Sequence, residues 1–132
     1  MGTNLVSYFL EQGCEVSNFD ISSPRCQGQL SEWRKVDILD RERLIRETRA
    51  FQPSVFLHFA ARTDLNEDHN LWGYAANIEG VCNVTDAIRA TPAVQRAVFA
   101  SSQLVCKLGY SPKDDYDFQP TTLYGQSKVL GE

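Results

Sequence analysis

The chain lacks any block of lysine or arginine, and its formal net charge is only -4. That excludes the basic footprint of a nucleic-acid binder. It also lacks a long apolar run, which excludes a membrane-spanning class. Residues 3–10 hold only a short apolar stretch, without a basic flank or an A-x-A-like site, so the expectation is a cytoplasmic protein with no export signal. Cysteine is sparse and scattered: Cys14, Cys26, Cys82 and Cys106 form no C-x-x-C or zinc-finger spacing, and reduced, incidental thiols are expected. No repeat, low-complexity tract or linker divides the chain. What remains, 42% hydrophobic and 23% charged over 132 residues, describes one ordinary globular domain at most.

Two hydrophobic periods alternate along that domain. Leu5, Val6, Phe9 and Leu10 stand at helical spacing, so a helix is predicted over 3–12, with Gly13 as its C-terminal stop. A strand over 14–19 ends at Asp20, and a loop rich in Ser, Gly and Pro fills 22–31. A second strand, 33–36, is closed by Asp37. Asp40 is placed to cap a helix reaching about residue 50, and Pro53 forces the next turn. The run Val55-Phe56-Leu57-His58-Phe59 is apolar without alternation, as in a parallel strand covered on both faces. A long helix over about 71–90 is predicted to turn Ala75, Ile78, Val81, Cys82, Thr85 and Ile88 inward. A buried strand, 97–100, delivers Ser101 and Ser102, and a last helix begins near Tyr124.

Such alternation with short connections specifies an α/β fold with a doubly wound parallel sheet, whose ligands bind at the C-terminal strand ends. Asp20, Asp37, the Phe59-Ala60-Ala61 turn and Ser101-Ser102 all fall there. A carboxylate at the Asp20 position can accept from both hydroxyls of an adenosine ribose and would repel a 2′-phosphate, favouring NAD over NADP. Taken alone, Asp20 reads equally as a solvated loop residue.

Tyr124 and Lys128 stand four apart on one helix face. A phenol is a poor base at neutral pH, and a nearby cation favours phenolate. With a serine hydroxyl at a strand end to hold the same substrate oxygen, the three make a redox catalytic set. The spacing alone reads equally as an exposed helix face; its strand-end context carries the assignment.

In that order and spacing, the chain resembles the extended short-chain dehydrogenase/reductase family, in particular its NAD-dependent nucleotide-sugar epimerase/dehydratase group. The carriers are Gly2-Thr3-Asn4-Leu5-Val6, Asp20, Val36-Asp37-Ile38, His58-Phe59-Ala60-Ala61, Asn77-Ile78-Glu79-Gly80, Ser101 to Val105, and Tyr124 to Lys128. The resemblance implies a Rossmann-like domain with bound NAD. Gly2 would match the third glycine of the phosphate turn. Asp20 would hold the adenosine ribose, and Asp37 and Ile38 the adenine. Phe59, Ala60 and Ala61 would line the path to the nicotinamide, with Asn77 supporting the site. Ser102, Tyr124 and Lys128 would be catalytic, Lys128 also holding the nicotinamide ribose. The implied partner is a nucleotide sugar or related hydroxyl-bearing small molecule. No nucleic acid, membrane or metal enters the picture, and a homodimer is expected only of a longer form.

Two departures shape the expectation. Of the family's first strand and G-x-x-G-x-x-G turn only Gly2 remains, so strands beside the missing one should be left without their neighbour. At Glu132 the substrate domain has not begun. The chain therefore reads as residues 1–132 of a partial NAD-binding Rossmann-like domain, part of an enzyme of roughly 300 residues. Gln103-Leu104 stand where the family's 4,6-dehydratases carry Asp-Glu, which favours an epimerase or a simple oxidoreductase, and Cys106-Lys107 replace the usual Tyr-Gly. A non-catalytic dinucleotide-binding or interaction protein on the same fold is the second reading. An inactive truncated product is the third.

Other tempting residues have plainer roles. His58 is expected to be a packed, hydrogen-bonded core residue. His69 with Asp64, Glu67 and Asp68 fits no ligand spacing and reads as a solvated loop. Packing accounts for most of Trp33, Trp72, Tyr74, Tyr110 and Tyr116. Cys106 has no histidine near it in sequence to activate a catalytic thiol.

Overall fold

The computed structural model describes residues 1–66 and 69–132. Its elements run α1 (Gly2–Glu11), β1 (Asn18–Asp20), β2 (Trp33–Lys35), α2 (Arg41–Phe51), β3 (Val55–His58), α3 (Ala75–Arg89), β4 (Arg96–Phe99) and α4 (Leu123–Gly131). Three 3₁₀ turns, Gln27–Gln29, Leu71–Tyr74 and Gln103–Val105, link them. Asp40 caps α2 as expected, accepting from Arg43 N at 3.1 Å. Gly13 follows α1 with φ 75°, while the Cys14 amide reaches back to Phe9 O at 3.0 Å.

All strands pair in parallel, as a Rossmann-like α/β fold requires, but they form two pairs, β1 with β2 and β3 with β4. No strand among the described residues joins them. This is the interruption expected where a central strand is lacking. The predicted strand over 14–19 shrinks to its last residues, since a strand with one neighbour gains only half its ladder.

One core nevertheless spans both pairs. Val36, Leu44, Val84 and Ala87 are buried, and Phe19 of β1, Phe56 of β3, Ile38, Ile45 and Ile88 pack on them. Each fully buried Leu or Val contributes roughly 1.5–3 kcal/mol, enough for α2 and α3 to hold the two pairs together. On the other hand, β4 is exposed at every position, with Val98 at 42% and Phe99 at 40%, so the expectation of a buried strand fails. Among the described residues no layer covers that face of it.

The long helix differs from its predicted form in two ways. Its first turn is 3₁₀, opened by Asn70, whose side chain accepts from Trp72 N. Its buried face carries Asn77, Gly80, Val81, Asn83, Val84 and Ala87, whereas Cys82, expected inward, is exposed. Two buried asparagines and a glycine disguised the true stripe. No helix among the described residues is long and apolar enough to cross a membrane.

Candidate functional site

The site gathers where β3, β4, α3 and α4 meet. Thr122 caps α4, accepting from Gly125 N at 3.0 Å, and starts the helix one residue before Tyr124. Ser102 caps the 3₁₀ turn after β4, accepting from Leu104 N at 3.2 Å. Gly125 joins these two turns. A Cβ on Gly125 would drive into the Leu104 carbonyl oxygen, so only glycine lets α4 approach the turn that presents Ser102.

Asn77 is the hub of the remaining geometry. It is 1% exposed, and its Oδ1 accepts from Arg62 N at 2.9 Å while its Nδ2 donates to Arg62 O at 3.0 Å. The same amide donates to Ser127 Oγ at 2.9 Å, and Ser127 in turn donates to Tyr124 O at 2.7 Å. One side chain thus ties the segment following Phe59, Ala60 and Ala61 to the helix bearing Tyr124 and Lys128. Ala60 is exposed, and Phe59 and Ala61 are half-buried.

Around Tyr124 the packing is aromatic and charged. Its ring meets that of Tyr74 edge-on at 5.9 Å, and the Tyr74 hydroxyl donates to Asp64 O at 2.8 Å. Arg62 lies over the Tyr74 ring, 5.0 Å from its centroid, and pairs with Asp64 at 2.8 Å. That guanidinium holds the Asp64 carboxyl below its usual range.

Lys128 is 7% exposed, and its ammonium donates to Ala100 O at 2.6 Å rather than to the Tyr124 hydroxyl. Burial pushes it below the usual lysine value, opposed by the Glu132 carboxylate. A cavity of about 370 Å³ opens beside it, bordered by His58, Phe99, Ser101 and Glu132. Ser101 donates to a carboxylate oxygen of Glu132, at the C-terminal end of α4, whereas Ser102 caps the turn that Gly125 meets near Tyr124. His58 packs edge-on against Phe99 at 5.4 Å, as a core residue should. However, its Nε2 has no hydrogen-bond partner among the described residues, against expectation, and burial followed by the Lys128 charge lowers the His58 pKa to about 4.

The adenosine candidates lie apart from this cluster. Asp20 ends β1, exposed, with Oδ1 accepting from Ser22 N at 2.8 Å. Asp37 follows β2, with Oδ1 accepting from Leu39 N at 2.9 Å. Ile38 turns its side chain into the core and its carbonyl to Asn83 Nδ2 at 2.9 Å. Gly2 opens α1, where no side chain caps the helix and nothing lies within 4 Å of where a Cβ would stand. Each of Asp20 and Asp37 has one carboxylate oxygen held by a backbone amide, and the other suits a ribose hydroxyl or an adenine amine. Asp20, Asp37 and Ile38 thus stay candidates for the adenosine half of a dinucleotide.

Of the suspected loop cluster, Glu67 and Asp68 lie outside the described residues. Among the described residues no group of three or more His, Cys, Asp or Glu can hold a metal ion. Trp72 and Tyr116 are 85% and 87% exposed, so packing does not account for them, whereas Tyr74 is fully buried. Three contributors are given no role by the sequence: Arg62, Gly125 and Ser127. Their signal was position, directly after Ala60-Ala61 and inside the Tyr124 to Lys128 run.

A model of the NAD dependent epimerase/dehydratase family matches residues 1–132. The chain belongs to that family. A UDP-glucose 4-epimerase of Mycoplasma genitalium is 35% identical over 108 residues, which are 76% of this chain and 32% of that protein. The Bordetella bronchiseptica enzyme WbmG, crystallised with NAD and UDP, superposes with a TM-score of 0.77 at 26% identity over 98% of this chain and 44% of its own. The UDP-glucose 4-epimerase of Brucella ovis, in complex with NAD, has the same fold, with a TM-score of 0.81 at 24% identity over 98% of this chain and 42% of its own. The chain thus spans about a third of that curated relative and under half of these structures.

Proposed function

We propose that residues 1–132 are part of the NAD-binding Rossmann-like domain of a cytoplasmic nucleotide-sugar epimerase or oxidoreductase. The observation that carries this reading is the close approach at Gly125, which locks the Ser102 turn against the helix of Tyr124 and Lys128. In this reading the bound dinucleotide supplies a hydride acceptor for the sugar carbon. Tyr124 takes the proton of the sugar hydroxyl, and Ser102 binds the same oxygen and directs the transfer. Lys128 supplies positive charge near that oxygen and holds the nicotinamide ribose once its bond to Ala100 O is exchanged. Asp20 accepts from the adenosine ribose. The Asp37 carboxylate accepts from the adenine amine, beside the Ile38 amide, and Gly2 meets the pyrophosphate at the start of α1.

Gln103 and Leu104, in the 3₁₀ turn, offer no acid or base for elimination, which supports epimerisation or simple oxidation over dehydration. The substrate class, a UDP-sugar, is carried over from the likeness to WbmG and to the Mycoplasma genitalium enzyme. The test is Tyr124→Phe in the longest form of the protein. Turnover of a UDP-sugar should be abolished with NAD affinity nearly unchanged, and unchanged turnover overturns the assignment.

A second reading, a dinucleotide-binding protein without catalysis, is favoured by one observation: the Lys128 ammonium faces Ala100 O, not Tyr124. NAD binding with no turnover of any UDP-sugar would establish it.

A further inference from the structure

Ile38, in the turn that follows β2, is held from a distance by α3. Within its own turn, Leu39 N donates to Asp37 Oδ1 at 2.9 Å and Asp40 N to Asp37 O at 3.0 Å. These bonds shape the turn between the end of β2 and the Asp40 cap of α2. Two residues of α3, three apart and so on one face, fix Ile38 within it. Asn83 Nδ2 donates to Ile38 O at 2.9 Å. Gly80 makes room for the Ile38 side chain: a Cβ there would come within 2.6 Å of Ile38 Cδ1 and 2.9 Å of Cγ1.

Asn83 is only 6% exposed, next to the fully buried Val84. An amide in such a place costs free energy unless it is bonded. A leucine would fill the same space and continue the apolar stripe, so the amide's distinctive contribution is its bond to the Ile38 carbonyl. Bond and close approach together fix the direction in which the Ile38 amide and the second Asp37 oxygen point.

We propose that Asn83 and Gly80 are positioning residues for recognition of the adenine ring, acting through the carbonyl and side chain of Ile38. This rests on the reading that Asp37 and Ile38 take the adenine. Adenine presents an amine to a carboxylate and an acceptor nitrogen to an amide, whereas hypoxanthine reverses both. Discrimination between the two bases therefore reports how this turn presents the Asp37 carboxylate and the Ile38 amide, which general loss of stability would not change selectively.

The experiment is calorimetric titration of NAD and of nicotinamide hypoxanthine dinucleotide into the chain and its variants, each checked for a cooperative melt. The unaltered chain should prefer NAD. Asn83→Asp sets a carboxylate against the Ile38 carbonyl and should cost NAD about tenfold in affinity, the scale of one buried hydrogen bond, with little effect on the hypoxanthine analogue. Gly80→Ala should do the same by displacing Ile38, and Ile38→Ala should restore the preference in that background. It also serves as the test if Asn83→Asp does not fold. Equal losses for both dinucleotides, or no loss, in a folded variant would overturn the inference while Asp37→Ala still erases the preference. If the unaltered chain shows no preference, or Asp37→Ala leaves it intact, the adenine reading falls, and the inference with it.

Discussion

Asn77 and Ser127 meet across the packing of α3 and α4, the asparagine amide donating to the serine hydroxyl at 2.9 Å. Because Asn77 also holds both backbone groups of Arg62, this one contact relates the exit of β3 to the Tyr124 helix. Asn77→Ala should destabilise the chain by about 2–4 kcal/mol, since it leaves buried backbone groups without partners. Ser127→Ala, which loses the bond from Asn77 and the serine's own bond to Tyr124 O within its helix but leaves both Arg62 backbone groups held, should cost about 1 kcal/mol. Urea denaturation measures both, and equal costs would contradict the hub.

Gly125→Ala should act differently. With no room for a Cβ against Leu104 O, α4 must move from the Ser102 turn. The expected loss is about 1–3 kcal/mol, together with a fall in turnover in the longest form that exceeds the change in NAD affinity. A variant with wild-type stability would show that α4 and the turn are not in contact.

Protonation of His58 gives a pH signature. Its folded value, about 4, lies below the ordinary 6.5 because of burial and then the Lys128 charge. The unfolded state therefore binds more protons between these values, so this stabilisation is complete above 6.5 and is lost as pH falls towards 4. It is on the order of 3 kcal/mol. Asp64 and Asp117, both held below 3.8, act in a more acid window. Urea midpoints of the chain and of His58→Phe from pH 7 to 4 should converge or cross as pH falls. Parallel curves would contradict the burial of an unprotonated imidazole.

At the other strand pair, Asp20→Ala should weaken NAD far more than NADP, because only the unmodified ribose offers two hydroxyls to the carboxylate. Titration with each dinucleotide decides this. An equal effect on both removes the basis for NAD preference.

Much of this was legible in the sequence, and the failures have physical causes. The cap at Asp40 and the stop at Gly13 follow from local chemistry and lie where the structure has them. The inward face of α3 did not emerge, because an apolar pattern cannot register Asn77 and Asn83, which are buried by virtue of their hydrogen bonds. Exposure of Val98 and Phe99 was equally hidden: a run of apolar residues says what a strand can bury, not whether another layer reaches it. Ser102, Tyr124 and Lys128 are candidates by residue type, spacing and strand-end context. That Lys128 turns to Ala100 O depends on three-dimensional packing alone.

Titration of NAD into the folded 132-residue chain by calorimetry tests the central claim most directly. The account predicts saturable binding of one NAD per chain, weakened by Asp20→Ala. A chain that melts cooperatively yet takes up no NAD would contradict it.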